Sequence, residues 1–184
     1  MKVIENALSE DVFSYCKKEL ESRLQEKESW WVSKGPFYTG VDMHKNKNRD
    51  IMASRILPET AQLIKDDLKK HLPKIKGQFS AKYMECQPTT GYRIHDDTAR
   101  HFAATIYMNE TWHPNNGGWF NWQDKQTEEW KTILPQRNLM VVNDTLEYHL
   151  VTPVAHDTPI SRFTIQIWDL TLAQVRKNAK KNLK

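Results

Sequence analysis

From residue 76 to residue 170 the chain is cut into short apolar segments bounded by turn-forming residues. That spacing restricts the fold more than any other feature of the sequence. The segments run over 79–86, 101–108, 118–122, 138–142, 149–154 and 162–170. The last alternates cleanly: Phe163, Ile165 and Ile167 fall on one face, and Arg162, Thr164, Gln166 and Trp168 on the other. Many short strands of this kind close on themselves as a barrel or jelly roll.

Residues before 76 have a different texture. Ser9-Glu10-Asp11 is a helix-start signal, and Val12, Tyr15, Cys16, Leu20 and Leu24 follow it at helical spacing. A second helix is expected over 58–72, with Ala61, Leu63, Ile64 and Leu68 on its inner side. Trp30-Trp31-Val32 between them reads as a strand. The polar stretch from Lys34 to Asp50 holds Gly35, Pro36, Gly40 and a cluster of Asn, Lys and Arg. It reads as a mobile loop that orders over a site mouth. Helices first and strands after predict an α+β domain, with the helices backing one face of an antiparallel sheet. The expected organisation is a single domain, 1–184. Its parts are helical support and loop over 1–75, a strand-rich core over 76–172 and a basic tail over 173–184.

Composition narrows the class. At 39% hydrophobic and 27% charged, the 184 residues are globular in character. No apolar run has membrane-spanning length, and the start lacks the apolar core of a signal peptide. Two cysteines, Cys16 and Cys86, exclude a disulfide scaffold and a cysteine-rich zinc site, so a reducing, cytoplasmic setting is expected. The net charge of +4 owes much to Arg176, Lys177, Lys180, Lys181 and Lys184. This tail reads as a solvated end, with a polyanion contact as the sharper alternative.

Among seven histidines, one stands in a His-x-Asp pattern, His95 with Asp97. In an extended segment residues i and i+2 point the same way, so the two can grip one metal. His149, opening a distant strand, supplies a second imidazole. Two neutral imidazoles and one carboxylate leave three octahedral positions open, which suits non-haem Fe(II) better than a closed zinc site. Arg162 starts the last strand on its polar face, thirteen residues after His149. A guanidinium entering an apolar barrel needs an anionic partner, and its planar fork matches a carboxylate. His101 and His113 read as structural or exposed, Asp96 as solvent-facing and Gly117-Gly118 as a tight turn. Trp119 and Trp122 read as core.

Taken in order, several pieces carry a resemblance. They are Gly91-Tyr92-Arg93-Ile94-His95-Asp96-Asp97, Thr105-Ile106-Tyr107-Met108-Asn109 with Trp112, Gly117-Gly118, and 137–144. His149-Leu150-Val151-Thr152-Pro153 and 162–168 complete the set. The run from Tyr83 to Leu170 resembles the catalytic core of the Fe(II)/2-oxoglutarate-dependent oxygenases, most closely the prolyl 4-hydroxylase branch. The resemblance implies a double-stranded β-helix with His95, Asp97 and His149 as catalytic iron ligands. It implies that Arg162 holds the distal carboxylate of 2-oxoglutarate and that Tyr107 hydrogen-bonds the same group. Gln166 and Trp168 would line the pocket further along that strand. Fe(II), 2-oxoglutarate and O2 are the implied cofactors, with ascorbate a candidate reductant.

The implied reaction hydroxylates an unactivated C–H bond, with release of succinate and CO2. A prolyl residue in a peptide or protein is the first substrate class. A free amino acid, small metabolite or nucleobase is an alternative, and a non-catalytic jelly-roll binding module is the reading from another class. Asp97 favours hydroxylation over halogenation, since related halogenases carry a small residue there. Two departures from the family pattern stand out. The interval from His149 to Arg162 is a few residues longer than usual. In addition, Glu85, Cys86 and Gln87 occupy the place where a co-substrate tyrosine is often found.

Overall fold

The computed structural model describes residues 1–42, 47–98 and 100–181. In chain order these form β1 (Lys2–Ile4), α1 (Glu10–Gln25), β2 (Trp30–Val32), β3 (Phe37–Tyr38), β4 (Gly40–Asp42), β5 (Lys47–Arg49), β6 (Ile51–Arg55) and α2 (Pro58–Asp67). There follow β7 (Gln78–Cys86), β8 (Gly91–His95), β9 (Arg100–Tyr107), β10 (Phe120–Gln123), β11 (Trp130–Ile133), β12 (Met140–Asn143), β13 (His149–Val151), β14 (Arg162–Leu170) and α3 (Leu172–Lys181).

The strands make a double-stranded β-helix, or jelly roll, of two antiparallel sheets. The major sheet has seven strands in the order β1-β12-β9-β14-β7-β6-β2, and the minor five, β11-β10-β13-β8-β3. β14 lies in the middle of the major sheet and is paired along its length with β7 on one side and β9 on the other. Its alternation explains the layering. Ile165 and Ile167 are fully buried against Phe13, Cys16, Leu20, Ile64 and Leu68 of the helical layer, while Arg162, Gln166 and Trp168 face the space between the sheets.

Polar joints tie the helices to the sheet. The Tyr83 hydroxyl, inside the apolar layer, donates to the Cys16 carbonyl at 2.9 Å. The Glu19 carboxylate accepts from the Leu57 N–H at 2.8 Å, satisfying a donor at the start of α2. Asp169, fully buried, accepts from the N–H groups of Lys76 and Gly77 at 2.7 and 2.8 Å. Gly77 is needed there, because a Cβ would stand 2.0 Å from the Leu170 carbonyl oxygen.

Several expectations are corrected. Ser9 precedes α1, but its hydroxyl makes no cap; its N–H donates instead to Asp67 at 2.6 Å. Tyr15 and Leu63 are exposed, and Phe13 and Thr60 take the inward positions. The second helix stops at Asp67 and continues as a 3-10 turn over Leu68–Lys70. The stretch expected as a loop from Lys34 to Asp50 contains β3, β4 and β5, with β3 paired to β8; residues 43–46 of it lie outside the described residues. Residues 1–75 thus add strands to both sheets besides their helices. The basic end begins as the helix α3. Gly91-Tyr92, whose glycine reads in the sequence as a turn before His95, belongs to β8. β1 and β11 carry no strand signal in the sequence and form by pairing with β12 and β10.

Candidate metal centre and cavity

β8 and β13 are neighbours in the minor sheet, and His95 stands directly opposite His149. Asp97 follows two residues beyond the end of β8. The ligand-type atoms of His95, Asp97 and His149 lie within 4.8 Å of one another. The ring centroids of the two histidines are 4.2 Å apart, and the Phe120 ring stacks on His149 at 5.3 Å. His149 Nε2 is 3.6 Å from Asp97 Oδ2.

The other ring nitrogens are engaged. His95 Nδ1 meets the Arg93 carbonyl at 2.7 Å, and His149 Nδ1 the Glu147 carbonyl at 2.9 Å. A carbonyl can only accept, so each Nδ1 carries the proton and each Nε2 keeps its lone pair. The far oxygen of Asp97, Oδ1, is ion-paired with Arg100, whose guanidinium lies over the Trp168 ring at 5.2 Å. Two imidazole nitrogens and one carboxylate oxygen, each fixed from behind, fit a metal ion of the non-haem iron kind.

Burial lowers the His95 pKa to about 4, with the neighbouring His149 imidazole adding to the effect. Burial also lowers that of His149. Both rings are therefore neutral at pH 7. Unfolding returns them to values near 6.5. Between about pH 6.5 and 4 the unfolded chain therefore binds more protons than the folded one, and stability falls as pH falls. The contribution is complete above about pH 6.5 and is lost on approach to pH 4. Melting curves of EDTA-treated protein across this window should show that fall, and His95→Gln should flatten it. A midpoint independent of pH in both proteins would contradict the buried neutral pair.

The triad opens into a cavity of about 300 Å³ between the sheets. Its walls include Met84 on β7, Tyr92 on β8, Val151 on β13 and Arg162, Gln166 and Trp168 on β14. Arg162 is 2% exposed. Its guanidinium donates to the Gly118 carbonyl at 2.9 Å and to Cys86 Sγ at 3.2 Å, and Nε has no partner. No carboxylate pairs with it among the described residues. The Tyr107 hydroxyl is buried and equally without a partner, its ring 5.8 Å from the guanidinium. A buried cation lacking a counter-ion, next to an orphaned hydroxyl, fits the carboxylate of a small diacid. Gly118, at φ +66, is more than a turn. Its carbonyl aims Arg162, and a Cβ there would come 3.2 Å from the Arg162 side chain.

The structure brings together His95, Asp97 and His149, and it sets Arg162, Gln166 and Trp168 along one cavity wall, with Tyr107 beside Arg162. It adds Tyr92 and Arg100, which the sequence reading passed over. Tyr92 lies in the wall beside Cys86 and Arg162, and burial raises its pKa. The reason it was missed is a β-bulge. Tyr92 pairs with Val151 and His95 with His149, three steps on β8 against two on β13. Simple alternation puts Tyr92 and His95 on opposite faces; the extra residue puts both in the cavity. Arg93 and Ile94 between them are exposed. His101 and His113 are exposed too, as expected. Trp122 is buried, but Trp119 is 38% exposed and is not core.

A jelly roll with a two-histidine, one-carboxylate cluster at one end and a buried arginine further in defines a class, the metal-dependent oxygenases built on this barrel. Residues 79–169 match the family described as the 2OG-Fe(II) oxygenase superfamily, and the chain belongs to it. It is thus a 2-oxoglutarate-dependent dioxygenase. No curated protein sequence matches the chain. Among solved structures it is similar to a prolyl-4-hydroxylase from Pseudomonas putida, at 18% identity and TM-score 0.66, covering 92% of this chain and 91% of that one. It is also similar to a prolyl hydroxylase from Trichoplax adhaerens in complex with a peptide fragment of the hypoxia inducible factor oxygen degradation domain. That match has 16% identity and TM-score 0.66, covering 97% and 85%. A prolyl 4-hydroxylase from Phytophthora capsici matches at 17% identity and TM-score 0.57, covering 92% of this chain and 58% of that one. These likenesses describe a shared fold. Among the described residues no helix is long and apolar enough to cross a membrane.

Proposed function

We propose that the protein hydroxylates a prolyl residue in a peptide or protein, with His95, Asp97 and His149 holding Fe(II) and Arg162 holding 2-oxoglutarate. The observation that carries the reading is the pairing, in one cavity, of the two-nitrogen, one-oxygen cluster with a buried guanidinium that has no counter-ion among the described residues. An iron ion and 2-oxoglutarate bound there supply the oxidative chemistry, in which O2 is consumed, succinate and CO2 leave, and a C–H bond of the substrate is hydroxylated.

The chain's own residues do the rest. His95 and His149 hold their Nδ1 protons on carbonyls and offer Nε2. Arg100 holds one oxygen of Asp97 and leaves the other for the metal. Arg162 and Tyr107 receive the far carboxylate of the co-substrate, and Gly118 fixes the guanidinium. Phe120 and Val151 line the wall near His149 and keep that side dry. Trp168 and Gln166 continue the floor toward the open end, where the substrate residue enters.

Support for a prolyl substrate comes from the fold shared with three prolyl hydroxylases, one of them solved with a peptide. The test is reconstitution with Fe(II) and 2-oxoglutarate, with succinate and peptide mass followed together. Blocked peptides with a central proline should gain one oxygen atom in step with succinate, and the same peptides with alanine should gain none. Succinate formation stimulated equally by both peptides would reject the prolyl assignment and keep the oxygenase.

A further inference from the structure

The cavity wall has an unbalanced charge. Its cationic side chains are Lys34, Lys82, Arg100 and Arg162, and its single carboxylate is Asp97. Asp97 is taken by Arg100. Under the proposed function Arg162 is taken by the co-substrate, which leaves Lys34, an exposed side chain at the rim, and Lys82. Lys82 is half-buried, and its ammonium lies over the Trp31 ring, 5.3 Å from the centroid. No carboxylate pairs with it among the described residues. Burial lowers its pKa, and Arg55 adds to the effect.

Arg55 is the surprising neighbour. It stands directly opposite Lys82 on β6, so the two cations share one face of the sheet. Like charges directly opposite on paired strands destabilise a sheet. None of the residues on that face of β6, β7 or β14 is acidic. On the other side of Lys82, directly opposite on β14, is Gln166. The Gln166 side-chain oxygen already accepts from Thr105 at 2.8 Å, so its NH2 group is what remains for a guest. Arg55, Lys82 and Gln166 therefore form a row of donors across three neighbouring strands. This row is distinct from the Arg162 end. Cys86, which Arg162 opposes, is four residues along β7 from Lys82, a separation of roughly 13 Å at about 3.3 Å per residue. A five-carbon diacid held by Arg162 and the triad does not reach it.

We infer that the donor row of Arg55, Lys82 and Gln166, with Trp31 beside it, binds a carboxylate of the substrate, so that the protein acts on an acidic substrate. This deepens the function proposed above and rests on it for the place of the co-substrate. The carboxylate belongs either to an acidic residue next to the target in a peptide or to a free amino acid, and the recognising chemistry is the same. A half-buried cation with a donor on each side meets an anion through charge-assisted hydrogen bonds, and the aromatic ring excludes water beneath it.

The experiment uses the full chain loaded anaerobically with Fe(II) and 2-oxoglutarate, with binding read from the visible absorption of that complex. The probes are end-blocked pentapeptides with proline at the centre and Glu or Gln on both sides, and L-proline against L-prolinamide. The acid form of at least one pair should bind about ten-fold more tightly than its amide form or better. Lys82→Met should remove the difference, Lys82→Arg should retain it, and Lys82→Glu should reverse it toward Lys-flanked peptides. Affinity for 2-oxoglutarate, measured separately, reports that each variant is folded and loaded.

Preference for free proline over its amide with no peptide binding would reject the peptide reading and uphold the carboxylate row. Hydroxylation of peptides with equal affinity for Glu and Gln forms would do the opposite. Equal binding of acid and amide forms throughout, binding of neither, or a preference that persists in Lys82→Met overturns the inference.

Discussion

Replacing His149 by alanine is expected to abolish Fe(II)-dependent succinate formation and to weaken metal binding by more than about 100-fold. Outer partners of a metal ligand are alone worth about 10–100-fold in affinity, and His149 is proposed as a direct ligand. Its Nε2 faces Asp97 at 3.6 Å and its Nδ1 is committed to the Glu147 carbonyl, and among the described residues His95 and Asp97 are the other members of the cluster. The fold should survive. β13 is held by pairing with both β8 and β10, neither of which depends on the imidazole. Calorimetry with Mn(II) or anaerobic Fe(II), beside far-UV circular dichroism, separates the two effects. Parent-like metal affinity in a folded His149→Ala protein would remove His149 from the ligand set.

Arg162→Ala is expected to weaken 2-oxoglutarate binding by about thirty-fold or more. Truncating one partner of a buried, hydrogen-bonded charge pair costs about 2–5 kcal/mol, and each 1.4 kcal/mol is about ten-fold in affinity. Arg162→Lys keeps the charge and loses the fork, so its loss should be smaller. Tyr107→Phe removes one neutral donor and should cost less than either. The free protein supplies a second readout. Its Arg162 guanidinium is buried with no counter-ion among the described residues, an arrangement that costs stability until a ligand arrives. Arg162→Met should therefore melt no lower than the parent without ligand, and should lose the rise in melting temperature that 2-oxoglutarate gives the parent. If Arg162→Ala binds 2-oxoglutarate as tightly as the parent, Arg162 is not the anchor.

The sequence displayed the parts of this molecule whose physics is local. Alternation over 162–168 marked β14, since a strand buried on one face by Ile165 and Ile167 carries its polar side chains on the other. The His95-x-Asp97 spacing was legible because both residues act over a single step of extended chain. Tyr92 was hidden by the bulge in β8, which breaks the period that sequence reading relies on. Arg100 was hidden for another reason. Its role is set by contacts with Asp97 and Trp168, and the second of these lies on a different strand. Helix content was visible, but the short strands β3, β4 and β5 were not. Their residues carry no apolar pattern and owe their conformation to pairing partners.

β14 has a neighbour along each edge and a packed hydrophobic layer behind it, so it can neither slide nor tilt without breaking both. Arg162, Gln166 and Trp168 inherit that immobility. An enzyme with an unyielding floor cannot adapt to a new substrate by bending the strand that anchors its co-substrate. Over evolutionary time its tolerance for change must gather instead at the rim, in the 33–36 segment and at Gln174 of α3, where side chains border the same cavity outside the apolar clusters. Divergent relatives would then keep one reaction while exchanging what it is performed on.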